Sequence, residues 1–135
     1  MMAVCYLGIG SNLGNKKLNI RTALKRIEEL KDTKVLKVSK IIETKPVGGP
    51  CGQPNYLNAC LKIDTRFTPH TLLKKLQDIE IQLGRPRKHL RFGPRTIDLD
   101  ILFFGDSVVD TKKLIIPHPR VFERQFVLKP LREIL

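Results

Sequence analysis

The stretch Thr96–Phe104 reads TIDLDILFF, and its period of two marks a β-strand with one acidic and one apolar face. Successive strand side chains alternate faces, so Asp98 and Asp100 are expected to project together while Ile97, Leu99, Ile101 and Phe103 line the other side. Two residues of strand rise set the carboxylates about 7 Å apart, and at an effective dielectric of 20 their repulsion is about 2 kcal/mol if both ionise. A divalent cation bound between them reverses that sign. Magnesium suits such a pair, because it takes oxygen ligands and commonly uses one or two carboxylates together with water and substrate phosphates. A half-exposed strand with two solvated aspartates accounts for the same pattern in isolation.

Upstream, residues 85–95 hold Arg85, Arg87, Lys88, Arg91 and Arg95 and no acid. Gly84, Pro86, Gly93 and Pro94 interrupt the run, which makes it a loop rather than a continuous helix. An arginine-rich loop beside a carboxylate pair suits a nucleoside triphosphate, with metal on the phosphates and guanidinium forks making bidentate contacts. Phosphoryl-type transfer is driven mainly by positioning and charge neutralisation, and these parts supply both.

Further outward, Thr68 and Pro69 form a helix N-cap and first position, followed by Leu72, Leu76, Ile79 and Leu83 at helical spacing and Gly84 as the stop. Tyr56–Thr65 reads as a strand. Residues 44–55 contain six Gly or Pro in twelve, which forbids regular structure and leaves a long loop of the functional kind. Val35–Thr44 reads as another strand, and Ile20, Leu24, Ile27 and Leu30 as an amphipathic helix. Ala3–Ile9 forms the first strand and runs into GIGSNLG. That segment matches neither GxGxxG nor GxxxxGK[ST]; tight-turn chemistry explains its glycines, with a phosphate cradle as the other possibility. After the acidic strand, Gly105 and Asp106 turn into Val108–Ile116, PHPR at 117–120 breaks the chain, and Phe122–Leu135 has mixed helical character. The order β, α, β, β, α, β predicts an α+β, ferredoxin-like sandwich: a mainly antiparallel sheet with helices on one face, an extra hairpin and a C-terminal helix.

The chain of 135 residues is expected to form a single domain over 1–135 with a core large enough to need no staples. Its formal charge of +12 points to an anionic partner. Cys5, Cys51 and Cys60 form no CxxC pair, and an odd number argues against a closed disulfide framework, so a reducing cytoplasm is expected. The first residues lack the pattern of a secretory signal, and no apolar run approaches a membrane span. No Cys/His set has zinc spacing, and no Ser, His and Asp set suggests a nucleophile. His70 and His89 have no evident role.

GIGSNLG, QPNYLNA, GRPRKHLRFGPRTIDLDILFFG and IPHPRVFERQFVLKPL, in that order, closely resemble the 6-hydroxymethyl-7,8-dihydropterin pyrophosphokinases of folate synthesis. The likeness runs from about Tyr6 to Leu131, with GPRTIDLDIL its most specific part. It implies an ATP- and magnesium-dependent transfer of pyrophosphate to the pterin hydroxymethyl group. On this resemblance Asp98 and Asp100 match the aspartates that hold two magnesium ions. Arg85 and Arg87 match mobile-loop arginines that close over ATP, and Arg95 the arginine beside the metal strand. His118 and Arg124 match further phosphate contacts, and Lys113 a basic position near the nucleotide. For the pterin, Asn58 matches the asparagine that pairs with the ring, Tyr56 and Phe126 the aromatic plates, and Thr44 and Val47 the backbone contacts. Phe92 stands where several members carry tryptophan, keeping the apolar plate and losing the indole donor. The resemblance implies a cytoplasmic enzyme acting as a monomer on small molecules, without nucleic acid or membrane.

Two other classes remain open from the residues themselves. A small basic RNA-binding module shares the ferredoxin-like sheet, but would show stacking aromatics where this chain presents acids. A non-catalytic nucleotide sensor would share every ATP contact and need no pterin pocket.

Overall fold

The computed structural model describes residues 2–45, 52, 54–84, 96–119 and 125–135, with side chains described from Leu128 onward in the last stretch. Its elements are β1 (Ala3–Ser11), α1 (Lys16–Glu28), β2 (Thr33–Val38), β3 (Ile42–Thr44), β4 (Tyr56–Thr65), α2 (Pro69–Gln82), β5 (Asp98–Phe104), β6 (Val109–Asp110), β7 (Ile115–Ile116) and α3 (Gln125–Ile134). Among the described residues β2, β4, β1 and β5 lie side by side in that order, every neighbouring pair antiparallel, and β3 pairs with β4 beyond β2. This is the ferredoxin-like sheet expected from the element order, with β6 and β7 as the added hairpin.

Local chemistry starts both long helices where the sequence marks them. The Asn15 side chain accepts from the Leu18 N–H at the head of α1, and Thr68 accepts from Thr71 N–H ahead of Pro69 at the head of α2. Their stripes, Ile20, Ala23 and Ile27 from α1 and Leu72, Leu76 and Ile79 from α2, bury against Cys5, Leu7 and Ile9 of β1 and Leu99 and Ile101 of β5. No helix among the described residues is long and apolar enough to cross a membrane. Cys5 and Cys60 are buried free thiols, and burial pushes the pKa of each up to about 12.

Three expectations are corrected. The strand expected over Val35–Thr44 is split into β2 and β3. Ser39 stays against β4, its N–H donating to Cys60 O at 2.9 Å and its Oγ accepting from Cys60 N–H at 2.8 Å. The next N–H, that of Lys40, leaves the ladder for the Glu133 carboxylate at 3.1 and 3.2 Å. Secondly, Phe103 does not join Ile97, Leu99 and Ile101. Tyr6 pairs with Phe103 and Leu7 with Ile101, so Leu102 is an extra residue in a β-bulge, and Leu102 and Phe103 both fall on the far face while Phe104 enters the core. The helices α1 and α2 share one face of the sheet as expected, and the C-terminal helix takes the other: Leu131 and Ile134 of α3 pack on Cys60 and Leu102. Finally, Gly8 and Gly10 are strand residues within β1, and only Gly14, at φ +71°, serves the turn.

Candidate active site

The acidic pair lies on the face that α3 covers only in part. Asp98 and Asp100 are both half-buried, flanking Leu99, which is buried in the core. Across the ladder their register partners on β1 are Gly10 and Gly8. Neither partner has a side chain, and neighbouring side chains take the space: Leu102 lies over Gly8 and the Asn58 carboxamide over Gly10. On the next strand Gly10 pairs with Asn58, which in turn pairs with Ile42 of β3. One row therefore runs Asp98, Gly10, Asn58, Ile42, and two strand spacings put Asn58 about 10 Å from Asp98.

The glycine at position 10 is required by its neighbours. A β-carbon built there would lie 2.8 Å from Asn58 Oδ1 and 3.6 Å from Tyr56 Cδ1. The Asn58 carboxamide is held from its other end, Nδ2 donating to Thr44 Oγ1 at 2.6 Å. Thr44 and Tyr56 are register partners at the end of the β3–β4 ladder. Three residues expected at a pterin, Thr44, Tyr56 and Asn58, are thus brought together, with β1 lying between their strands and the acidic pair on β5.

On the outer side of β5, a cleft of about 260 Å³ is bounded by Asp100, Leu99, Leu73 of α2, Lys113 and Ile115 of the hairpin, and His118. This brings Lys113 and His118, both expected at ATP, to the same aspartate. His118 N–H donates to Leu102 O at 3.0 Å, which fixes the segment after β7 along the edge of β5. The remaining expected residues, Val47, Arg85, Arg87, Phe92, Arg95 and Arg124, lie outside the described residues, as does the side chain of Phe126.

Oxygen donors two residues apart on one face suit magnesium. Among the described residues no set of three or more His, Cys, Asp or Glu gathers as a cage, so an ion on this pair would complete its shell with water and substrate oxygens.

Several residues that shape the site carry weaker sequence signals. Glu80 is 6% exposed, and its carboxylate accepts from the Leu99 N–H at 2.8 Å, between the two aspartates. Its signal is an acid four residues after Leu76 and three before Leu83, on the apolar stripe of a helix. Gly8 and Gly10 alternate within a strand, a sign of close approach by another group. His70 Nε2 lies 3.1 Å from Thr111 Oγ1 and ties α2 to the hairpin that carries Lys113. GSNLG anchors its surroundings: Asn12, fully buried, donates through Nδ2 to Pro54 O at 3.3 Å.

The model of the family described as 7,8-dihydro-6-hydroxymethylpterin-pyrophosphokinase matches residues 6–135. The chain belongs to this family. A 2-amino-4-hydroxy-6-hydroxymethyldihydropteridine pyrophosphokinase of Bacillus subtilis is 45% identical over 134 residues, covering 99% of this chain and 79% of the relative. The enzyme of the same name from Haemophilus influenzae is 42% identical over 133 residues, 98% of this chain and 82% of its own length. Folic acid synthesis protein fol1 of Pneumocystis carinii is 48% identical over 129 residues, 96% of this chain but 17% of that much longer protein. Membership agrees with the resemblance carried by GPRTIDLDIL and with the ferredoxin-like sheet.

Proposed function

We propose that this chain transfers the pyrophosphoryl group of ATP to the hydroxymethyl oxygen of 6-hydroxymethyl-7,8-dihydropterin, releasing AMP, as a magnesium-dependent step of folate synthesis. The observation that carries this reading is the row Asp98, Gly10, Asn58: an acidic pair and a held carboxamide share one face, and the strand residue between them in the row is a glycine. Asp98 and Asp100 would hold two magnesium ions, which when bound supply positive charge against the triphosphate.

The chain's own residues do the positioning. Thr44 orients the Asn58 carboxamide, which offers a donor and an acceptor to the edge of the pterin. Tyr56 and Phe126 stack on its faces, Phe92 adds an apolar plate, and Val47 contributes backbone. Lys113, His118, Arg85, Arg87, Arg95 and Arg124 grip the polyphosphate from the opposite flank. An oxygen–phosphorus bond forms to the β-phosphorus and the bond from that atom to the α,β-bridging oxygen breaks. AMP keeps the bridging oxygen, and one proton is released. The protein works as a cytoplasmic monomer on these two small molecules.

AMP formation from ATP, measured with and without the pterin and magnesium, tests this directly. The reading expects AMP only when both are present. Calorimetric titration separates the sensor alternative: ATP-analogue binding with no pterin binding in the ternary mixture leaves a sensor. An RNA-binding role is disfavoured because phosphates laid across this face would meet Asp98 and Asp100.

A further inference from the structure

We propose that Lys16, Asn55 and Glu43 form a positioning clamp for the pterin half of the site. The inference rests on the assignment of Thr44, Tyr56 and Asn58 to the pterin. Thr44 is the last residue of β3 and Tyr56 the first of β4, so their pair closes a three-rung ladder at its end, where strands fray. The residue preceding each member of that pair is tied to the other, Asn55 just outside the ladder and Glu43 on its middle rung: Asn55 Nδ2 donates to Glu43 Oε1 at 3.0 Å. From a third element, the Lys16 ammonium donates to Asn55 O at 3.0 Å. The carbonyl gripped by Lys16 is the one immediately before Tyr56, and the carboxylate gripped by Asn55 is on the residue immediately before Thr44.

The placement of Lys16 supports this role. It is the first residue of α1, where a cation opposes the helix dipole and no acid occupies the first turn. The contact to Asn55 gives the ammonium a partner that the helix does not offer. Asn55 connects a cation and an anion through its own amide and carbonyl, and charge-assisted hydrogen bonds of this kind are stronger than neutral ones. Losing either end frees the residues before Tyr56 and Thr44, and with them the Asn58–Thr44 bond and the aromatic plate. Asp98 and Asp100, two strands away on β5, are untouched.

The test is steady-state kinetics of the full chain carrying Lys16→Met or Glu43→Ala, with Glu43→Gln as the conservative variant that keeps an acceptor, and Asn58→Ala in parallel. The clamp predicts a five- to tenfold rise in KM for the pterin in K16M and E43A, with kcat and KM for ATP within twofold of the parent and recovery in E43Q. A pterin KM within twofold of the parent in both K16M and E43A, with Asn58→Ala raised, overturns the clamp alone. If Asn58→Ala also leaves it unchanged, the pterin assignment fails and the clamp with it. A matched loss in kcat and both KM values, accompanied by a lowered Tm, assigns these residues to folding and likewise overturns the proposal.

Discussion

Gly10 and Asn58 are register partners on neighbouring strands, and the bare α-carbon of Gly10 is what admits the Asn58 carboxamide: a β-carbon there would stand 2.8 Å from Asn58 Oδ1. The group it would meet is the far end of a side chain rather than backbone, so the sheet survives the intrusion while the carboxamide does not keep its place.

Gly10→Ala therefore separates folding from binding. Asn58 must swing away and release Thr44 Oγ1, a contact of 2.6 Å. A hydrogen bond in such a setting is worth about 1 kcal/mol, and misplacing the amide against a pterin edge adds to that. The expected outcome is a pterin KM raised about tenfold with KM for ATP unchanged. Equal changes in both KM values would contradict the placement of Asn58.

Asp98→Ala and Asp100→Ala remove an oxygen donor from a half-buried position on the open face without disturbing Leu99 beneath. Losing an outer-shell partner of a metal typically costs 10–100-fold, so if these carboxylates are the direct ligands proposed above, their loss should lower turnover by at least about a hundredfold. Tm should stay within a few degrees of the parent. Near-normal AMP release in either variant would remove these residues from the metal site.

Glu80 supports the same strand from behind. Glu80→Ala leaves the Leu99 N–H without this acceptor in the core, a loss of about 1–3 kcal/mol, and Tm should fall by several degrees. Glu80→Gln keeps an acceptor oxygen and should recover most of that stability. Thermal unfolding of the pair checks this, and an E80A protein as stable as the parent would show that the contact contributes nothing.

The two buried thiols set an alkaline limit. Burial raises Cys5 and Cys60 from an ordinary 9.0 to about 12, with the Asp64 carboxylate adding to the shift at Cys5. A thiol whose folded pKa lies above its unfolded value contributes stability that is complete below pH 9 and is lost as pH rises towards 12. Denaturation midpoints should accordingly fall across that window, and Cys5→Ala should flatten the decline. Iodoacetamide at pH 8 should leave Cys5 and Cys60 unmodified in the folded chain, because only the thiolate reacts. Rapid native-state labelling of either would contradict their burial.

The elements legible in advance were those with a clean period or a local cap. Thr68–Pro69 announced α2 through its own side-chain and ring chemistry, and the alternation from Ile97 to Ile101 announced β5. The bulge at Leu102 was not legible because ILFF is apolar throughout, and an unbroken apolar run gives no alternation from which to read a slip in phase. The position of α3 on the far face was hidden for a related reason: its partners Cys60 and Leu102 are apolar residues on a face otherwise marked by acids and glycines. Within the site, Asp98, Asp100 and Asn58 could be named from resemblance, whereas Gly10, Lys16 and Glu43 act through register and long-range contact. Asn55 lies 39 positions from Lys16 in the chain, and that separation is closed only when β4 pairs with β1.

The most direct measurement of the central claim is anomalous diffraction from crystals grown with Mn²⁺ in place of Mg²⁺, a non-hydrolysable ATP analogue and the dihydropterin. The account predicts manganese peaks at coordination distance from the carboxylates of both Asp98 and Asp100, with the pterin ring against Asn58 on the next strand but one. Manganese and triphosphate bound away from both aspartates, or a pterin seated elsewhere than beside Asn58, would contradict it.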